Sequence, residues 1–174
     1  MSQISDLVAA TVRDVPDFPK PGIVFKDIAP LIADPSAFRA LVDDIAGRYS
    51  GRVDVVAGIE ARGFIFGAPV ALALGLGFVP IRKAGKLPGD TIASTYSLEY
   101  GSAEVEVQSD AFAPGARVLL IDDVLATGGT AAAACELIER AGAEVTALEF
   151  VIEIGFLDGH ERLADRPVNA VLTV

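Results

Sequence analysis

The chain alternates between short, continuous hydrophobic runs and longer stretches in which apolar residues recur every three or four positions. The first pattern predicts strands buried on both faces, and the second predicts amphipathic helices. Ser2 to Val12 reads as a first helix. Pro16 to Pro21 carries three prolines and must be extended or turned. Gly22 to Ile32 reads as an extended or mixed segment. Asp34 and Pro35 make a good N-cap and first helical residue, and Phe38, Leu41, Val42 and Ile45 follow at helical spacing. Val53 to Ile59 predicts a strand, Glu60 to Gly63 a loop, Phe64 to Leu74 a buried helix and Phe78 to Ile81 a buried strand. Ile92 to Leu98 and Ala103 to Gln108 flank a turn at residues 99–102, which suits a hairpin. Val118 to Ile121 is a further buried strand. Ala131 to Arg140 reads as a helix, with Gly142 placed to stop it. Glu144 to Ile154 and Ala170 to Val174 are strand-like. Strands alternating with helices predict an α/β domain, with a mainly parallel sheet flanked by helices, spanning residues 1–174 as one unit.

Within this frame the run from Val118 to Thr130 is the most specific. Two adjacent acids, Asp122 and Asp123, stand where the hydrophobic strand is expected to end. A small turn follows, Ala126, Thr127, Gly128, Gly129 and Thr130, leading into a helix. In a parallel α/β sheet, the end of a strand and the start of the next helix border the ligand crevice. Backbone N–H groups, two threonine hydroxyls and a helix N-terminus suit a phosphate. Two carboxylates suit hydroxyl donors, or a metal held through water. The run is not a Walker A loop, because no Gly-Lys-Ser/Thr follows, and the Gly-x-Gly-x-x-Gly spacing of a dinucleotide fold is absent.

Composition narrows the partners. The formal net charge is −10, which argues against nonspecific nucleic-acid binding. The stretch from Gly63 to Ile81 is uncharged and close to the length of a membrane span, but its glycines and prolines divide it into a buried helix and a buried strand. The N-terminus lacks the pattern of a signal peptide, and the single cysteine, Cys135, excludes an internal disulfide and fits a reducing cytoplasm. Cys135 reads as a core residue, and His160, the only histidine, as a surface one. Against the acidic background, Ala61 to Gly89 contains no Asp or Glu but holds Arg62, Arg82, Lys83 and Lys86. These cations fall in loops after predicted strands, on the same edge as the two acids. The arrangement suits a ligand with a phosphate at one end and a diphosphate at the other.

The strand, paired acids and Thr-Gly-Gly-Thr turn resemble the phosphoribosyl pyrophosphate (PRPP) motif of the type I phosphoribosyltransferases. Residues 19–28, 58–67, 80–89 and 96–101 resemble the adenine phosphoribosyltransferases in particular, and with the PRPP turn they run in order to residue 130. The resemblance implies the type I phosphoribosyltransferase fold with a flexible hood hairpin. It implies a purine salvage enzyme that makes AMP and diphosphate from adenine and PRPP with Mg²⁺. Ala126 to Thr130 would hold the 5′-phosphate, and Asp122 and Asp123 the ribose hydroxyls. Arg62, Arg82, Lys83 and Lys86 would stabilise the diphosphate. The metal would be held mainly through PRPP and water, near Asp122 and Asp123, with no direct protein cage.

By the same resemblance, Phe25 stacks on the purine while Val24 and Lys26 read its edge through backbone groups. Lys26 departs from the arginine usual at that position. Glu99 and Tyr100 would sit on the hood, with Glu99 handling the proton of the base. Family members are typically homodimers, with Arg82 to Lys86 near the partner. Two other readings stay open at this point. One is a related enzyme for guanine, hypoxanthine or xanthine. The other is a PRPP- or purine-sensing regulator, although this acidic chain has no spare length for a DNA-binding module. Phe156 to Pro167 suggests no site.

Overall fold

The computed structural model describes residues 3–97 and 102–174. The hydrophobic runs become strands and the periodic segments become helices, in the order α1 Gln3–Thr11, β1 Arg13–Pro16, β2 Val24–Asp27, α2 Ala29–Ala33, α3 Pro35–Tyr49, β3 Val55–Ile59, α4 Arg62–Leu74, β4 Gly77–Lys83, β5 Thr91–Ser97, β6 Ser102–Gln108, β7 Arg117–Leu125, α5 Gly129–Arg140, β8 Glu144–Glu153 and β9 Val168–Thr173. Seven strands form one sheet in the order β5-β6-β4-β3-β7-β8-β9. β4, β3, β7, β8 and β9 run parallel, while β6 joins β4 antiparallel and pairs with β5 as the expected hairpin.

Strand alternation divides the core between the two sheet faces. Val118 and Leu120 of β7 pack with Ala134, Leu137 and Ile138 of α5. Leu119 and Ile121 turn the other way, to Leu41 and Ile45 of α3 and Phe66 and Val70 of α4. Cys135 is fully buried on the α5 side. The Asp34 carboxylate caps α3, accepting the N–H groups of Ser36 at 2.8 Å and Ala37 at 3.0 Å. The C-terminal end of α3 is tied to the sheet through fully buried Glu149, which accepts from Arg48 at 2.9 Å, Tyr49 Oη at 2.7 Å and Asn169 at 2.9 Å. Burial pushes the Glu149 carboxyl above its ordinary range, and these donors offset that cost.

Two local features depart from the pattern reading. The proline-rich segment is the link of a small antiparallel hairpin, because β1 pairs with β2 from Arg13↔Asp27 to Pro16↔Val24. More consequentially, β7 does not end at the paired acids. It continues to Leu125, because β8 runs alongside and pairs Asp122 with Phe150 and Val124 with Ile152. Consecutive side chains on a strand face opposite ways, so the two acids enter different surroundings.

Glycines set how closely α4 meets the sheet. A Cβ on Gly63 would lie 2.7 Å from the Ile121 carbonyl oxygen and 3.3 Å from Asp122 Cα. Those are backbone atoms that cannot swing aside. The Gly63→Ala variant is therefore expected to lose about 1–3 kcal/mol, a drop of roughly 3–10 °C in Tm by scanning calorimetry. Gly47→Ala in α3, where a Cβ meets nothing within 4 Å, should be neutral or slightly stabilising. Equal behaviour of the two variants would remove the close contact as the cause.

Candidate active site

The parallel strands β4, β3 and β7 are neighbours, so the loops at their C-terminal ends share one edge of the sheet. After β7, residues Ala126 to Thr130 wrap a small polar cavity of about 80 Å³, which Asp122 and Val124 also line. α5 begins at Gly129, inside the turn, so its N-terminal N–H groups belong to the cavity wall. Gly128 permits this entry with φ of +76°. The carbonyl end of β7 and the amino end of α5 thus enclose a small polar concavity.

Asp122 and Asp123 divide their tasks. Asp122 borders the small cavity, and its Oδ1 accepts the Asp123 N–H at 2.9 Å. Burial, and then the negative charge of Asp123, push the Asp122 carboxyl well above its ordinary value. Asp123 is buried and faces Arg62, whose Nε stands 2.7 Å from Asp123 Oδ2. The approach is ionic, and that oxygen receives no hydrogen bond among the described residues. A buried carboxylate oxygen without a donor is suited to a substrate hydroxyl or a metal-bound water.

Arg62 opens α4 and also reaches the second cavity, of about 620 Å³. Val24, Phe25 and Lys26 of β2 form one part of its lining. Phe25 meets Phe18 edge-to-face with centroids 5.2 Å apart, and the Arg62 guanidinium lies 6.0 Å from the Phe25 ring centre. Val24 is 52% exposed, and the Lys26 ammonium is turned to Asp14 at 2.7 Å. Val124 lines both cavities, so they adjoin at the end of β7.

The cations were expected in loops, but parallel pairing with β3 and an early helix start place Arg82 and Lys83 at the end of β4 and Arg62 at the start of α4, leaving only Lys86 in a loop. Glu60 stands just before the acid-free stretch, and the Glu60–Ala61 peptide is cis. Its carboxylate accepts the Lys83 N–H at 2.9 Å and pairs with Arg82 Nε at 3.2 Å. The Lys83 N–H, aided by Arg82, holds the Glu60 carboxyl below its ordinary range. Arg82 also donates to the Lys86 carbonyl at 3.1 Å. Arg62 and Arg82 therefore have carboxylate partners, whereas Lys83 and Lys86 are exposed. Glu99 and Tyr100 lie outside the described residues.

The segment after β8, which suggested no site, contributes a fourth loop. Phe156, Leu157 and Ile154 line the larger cavity with Val174. Phe156 is 81% exposed, a large apolar side chain left at the cavity rim. Gly159 braces the turn after β7. A Cβ there would fall 2.0 Å from the Ala126 carbonyl oxygen, and one on Gly128 would fall 2.6 Å from the Gly159 carbonyl oxygen. The available signal was topological: β8 is parallel to β7, so its following loop had to reach the same edge. His160 nearby is exposed, with Nδ1 3.5 Å from Glu153.

The phosphoribosyl transferase domain family matches residues 32–166. Adenine phosphoribosyltransferase of Thermobifida fusca is 56% identical over 174 residues, covering 99% of each chain. That of Streptomyces coelicolor is 59% identical over 98% of this chain and 97% of its own. The chain belongs to the adenine phosphoribosyltransferase family. Among solved adenine phosphoribosyltransferases, the Saccharomyces cerevisiae enzyme, complexed with adenine and an imino-altritol bisphosphate, superposes with a TM-score of 0.94 at 41% identity, covering 99% of this chain and 100% of its own. The Thermoanaerobacter pseudethanolicus enzyme gives 0.93 at 43% identity, covering 98% and 99%. The mainly parallel sheet with flanking helices is thus the type I phosphoribosyltransferase fold.

The raised pKa of Asp122 has a measurable consequence for stability. An unfolded aspartate ionises near pH 4, whereas the folded one resists ionisation. Stability is therefore lost as pH rises above the unfolded value, until the folded carboxyl also ionises. Asp122→Asn keeps an oxygen for the Asp123 N–H and removes the charge. It should raise Tm at pH 7.5, read by scanning calorimetry. The gain should vanish below about pH 4. A difference in Tm that does not vary with pH would assign the effect to packing instead.

Proposed function

We propose that this chain makes AMP and diphosphate from adenine and PRPP, with Mg²⁺ accompanying the PRPP. The observation that carries the reading is the junction, at one sheet edge, of a small polar cavity under a helix N-terminus with a larger, mainly apolar one bordered by Phe25 and Arg62. A sugar phosphate fits the first and a purine the second. The yeast relative's complex with adenine and a bisphosphate supports pairing these ligand types on this fold.

The 5′-phosphate takes Ala126, Thr127, Gly128, Gly129 and Thr130, where N–H groups and hydroxyls donate to its oxygens. The ribose hydroxyls donate to Asp122 and Asp123. As the anomeric C–O bond breaks, its electron pair leaves with the diphosphate, and positive charge builds on the sugar. Asp123, and Asp122 once the developing charge draws it to its ionised form, support that positive charge, while Arg62, Arg82, Lys83 and Lys86 support the leaving group. No group of three or more His, Cys, Asp or Glu among the described residues is placed to cage a metal by itself. Donors on PRPP, with water held by Asp122 and Asp123, fit the ion better. When bound, Mg²⁺ supplies further neutralisation of the diphosphate charge.

Adenine lies against Phe25, with Val24 and Lys26 at its edge through backbone groups. Its ring nitrogen forms the new bond to the anomeric carbon, and Glu99 takes up or steers the proton released. By the family resemblance, Glu99 and Tyr100 would also shield PRPP from water. A cytoplasmic setting accords with this reading, supported by the buried free thiol of Cys135. No helix among the described residues is long and apolar enough to cross a membrane.

Given PRPP and Mg²⁺, the purified protein should form AMP and diphosphate from adenine, and no nucleotide from guanine, hypoxanthine or xanthine. Glu99→Gln should bind PRPP normally yet turn over at least about tenfold more slowly. Product from another base would overturn the base assignment. PRPP binding without any product would move the chain to the regulators.

A homodimer is part of the same reading. Ile65 and Leu72 of α4 are exposed, Leu72 at 81%, beside a cavity of about 580 Å³ lined by Phe38, Val42 and Pro69. Exposed apolar side chains along one helix suit burial against a second copy better than contact with water. Gel filtration with light scattering should give a dimer for the native chain and a monomer for Leu72→Glu. A native monomer with full activity would refute the dimer.

A further inference from the structure

The loop from Ala84 to Asp90 joins β4 to β5 and carries Lys86. With Gly85, Pro88 and Gly89, such a loop samples many shapes unless its backbone is held. A side chain from another strand holds it. Glu106 of β6 is only 6% exposed and stands opposite Arg82 in the β4–β6 ladder. Its Oε1 accepts the N–H groups of Lys86 and Leu87, both at 2.8 Å, and its Oε2 accepts the Thr91 hydroxyl at 3.3 Å. Burial alone would raise this carboxyl, but the N–H groups of Leu87 and Lys86 prevail and keep it below its ordinary range. Glu106 is therefore ionised at neutral pH. A carboxylate so placed repels diphosphate, so its use is to the loop and not to the ligand. The carbonyl of Lys86 accepts from Arg82, which is itself held by Glu60. Lys86 is thus fixed at both backbone polar groups while its side chain stays exposed.

We infer that Glu106 is a positioning residue for the diphosphate site, holding the backbone of residues 86 and 87 so that Lys86 is presented before substrate arrives. The inference rests on the reading of Lys83 and Lys86 as diphosphate ligands. Steady-state kinetics of Glu106→Val, Glu106→Gln and Lys86→Ala separate the two. Glu106→Val should raise the KM for PRPP roughly tenfold, since a displacement of about 1 Å is enough for a large loss. Its KM for adenine should stay within about twofold. Glu106→Gln keeps an oxygen for both N–H groups and should restore most of the PRPP KM. Lys86→Ala should be impaired toward PRPP at least as much as Glu106→Val.

A normal PRPP KM in Glu106→Val beside an impaired Lys86→Ala overturns the positioning role alone. A normal PRPP KM in Lys86→Ala overturns the loop as a diphosphate site. Equal rises in both KM values for Glu106→Val, or no restoration by Gln, would mark a general structural defect and overturn the inference. Should Glu106→Val fail to fold, amide exchange of the native protein decides. Lys86 and Leu87 should exchange at least about tenfold more slowly than an open loop, and exchange at open-loop rates overturns the proposal.

Discussion

The site depends on how closely the start of α4 approaches the end of β7. Gly63 has no side chain because the Ile121 carbonyl and the Asp122 backbone occupy the space where one would lie. That contact brings Arg62, one residue earlier, to the Asp123 carboxylate. The same helix is drawn down along its length. A Cβ on Gly67 or Gly58 would come within 2.7 or 2.8 Å of the Phe78 ring, so the ring fills the notch between helix and strand. Close packing transmits such a fit rigidly. A shift of α4 would move Arg62 away from Asp123 and open the larger cavity on that side. Stability and site geometry are therefore set by the same backbone contact.

Carboxylates organise the cations of this site. Asp123 neutralises Arg62, Glu60 neutralises Arg82, and Glu106 gathers the loop that carries Lys86. A cluster of bare guanidinium and ammonium groups would repel itself and resist a defined shape. Placing acids behind the cations removes that repulsion while leaving Lys83 and Lys86 exposed. The cost is that each acid weakens the positive field of the loop. Asp122 shows the opposite balance. Among the described residues no cation stands against it as Arg62 stands against Asp123, and burial raises its carboxyl toward the neutral form.

Most of the sheet was legible because its strands are either uniformly apolar, as in Val118 to Ile121, or bounded by Gly and Pro. The site edge was legible for a related reason: parallel strands commit their loops to one side. Four features are not legible in the sequence. The end of β7 was drawn too early because two acids look like a strand terminus, whereas backbone pairing with β8 carries the strand past them. Glu60 and Glu106 were invisible as organisers, since Glu106 sits in an alternating Glu-Val-Glu-Val pattern that reads as an ordinary solvated face. Counting charges along the acid-free stretch suggested four open cations, and only tertiary structure reveals that two of them face carboxylates. The hairpin of β1 and β2 was hidden by prolines that disfavour regular strands but occupy its edge and link.

The loop after β8 matters through its contacts and not its composition. Phe156, Leu157 and Gly159 form an undistinguished sequence, yet the first two line the larger cavity and the third touches the turn after β7. Gly159 and Gly128 meet backbone to backbone, with no side chain between to absorb a displacement. Leu163, fully buried in the core against α5, anchors the far end of the same loop. The wall of the apolar cavity and the cradle of the polar one are consequently parts of one packed body. A displacement of either must be felt by the other, and the spacing between the turn and the cavity is fixed by the fold.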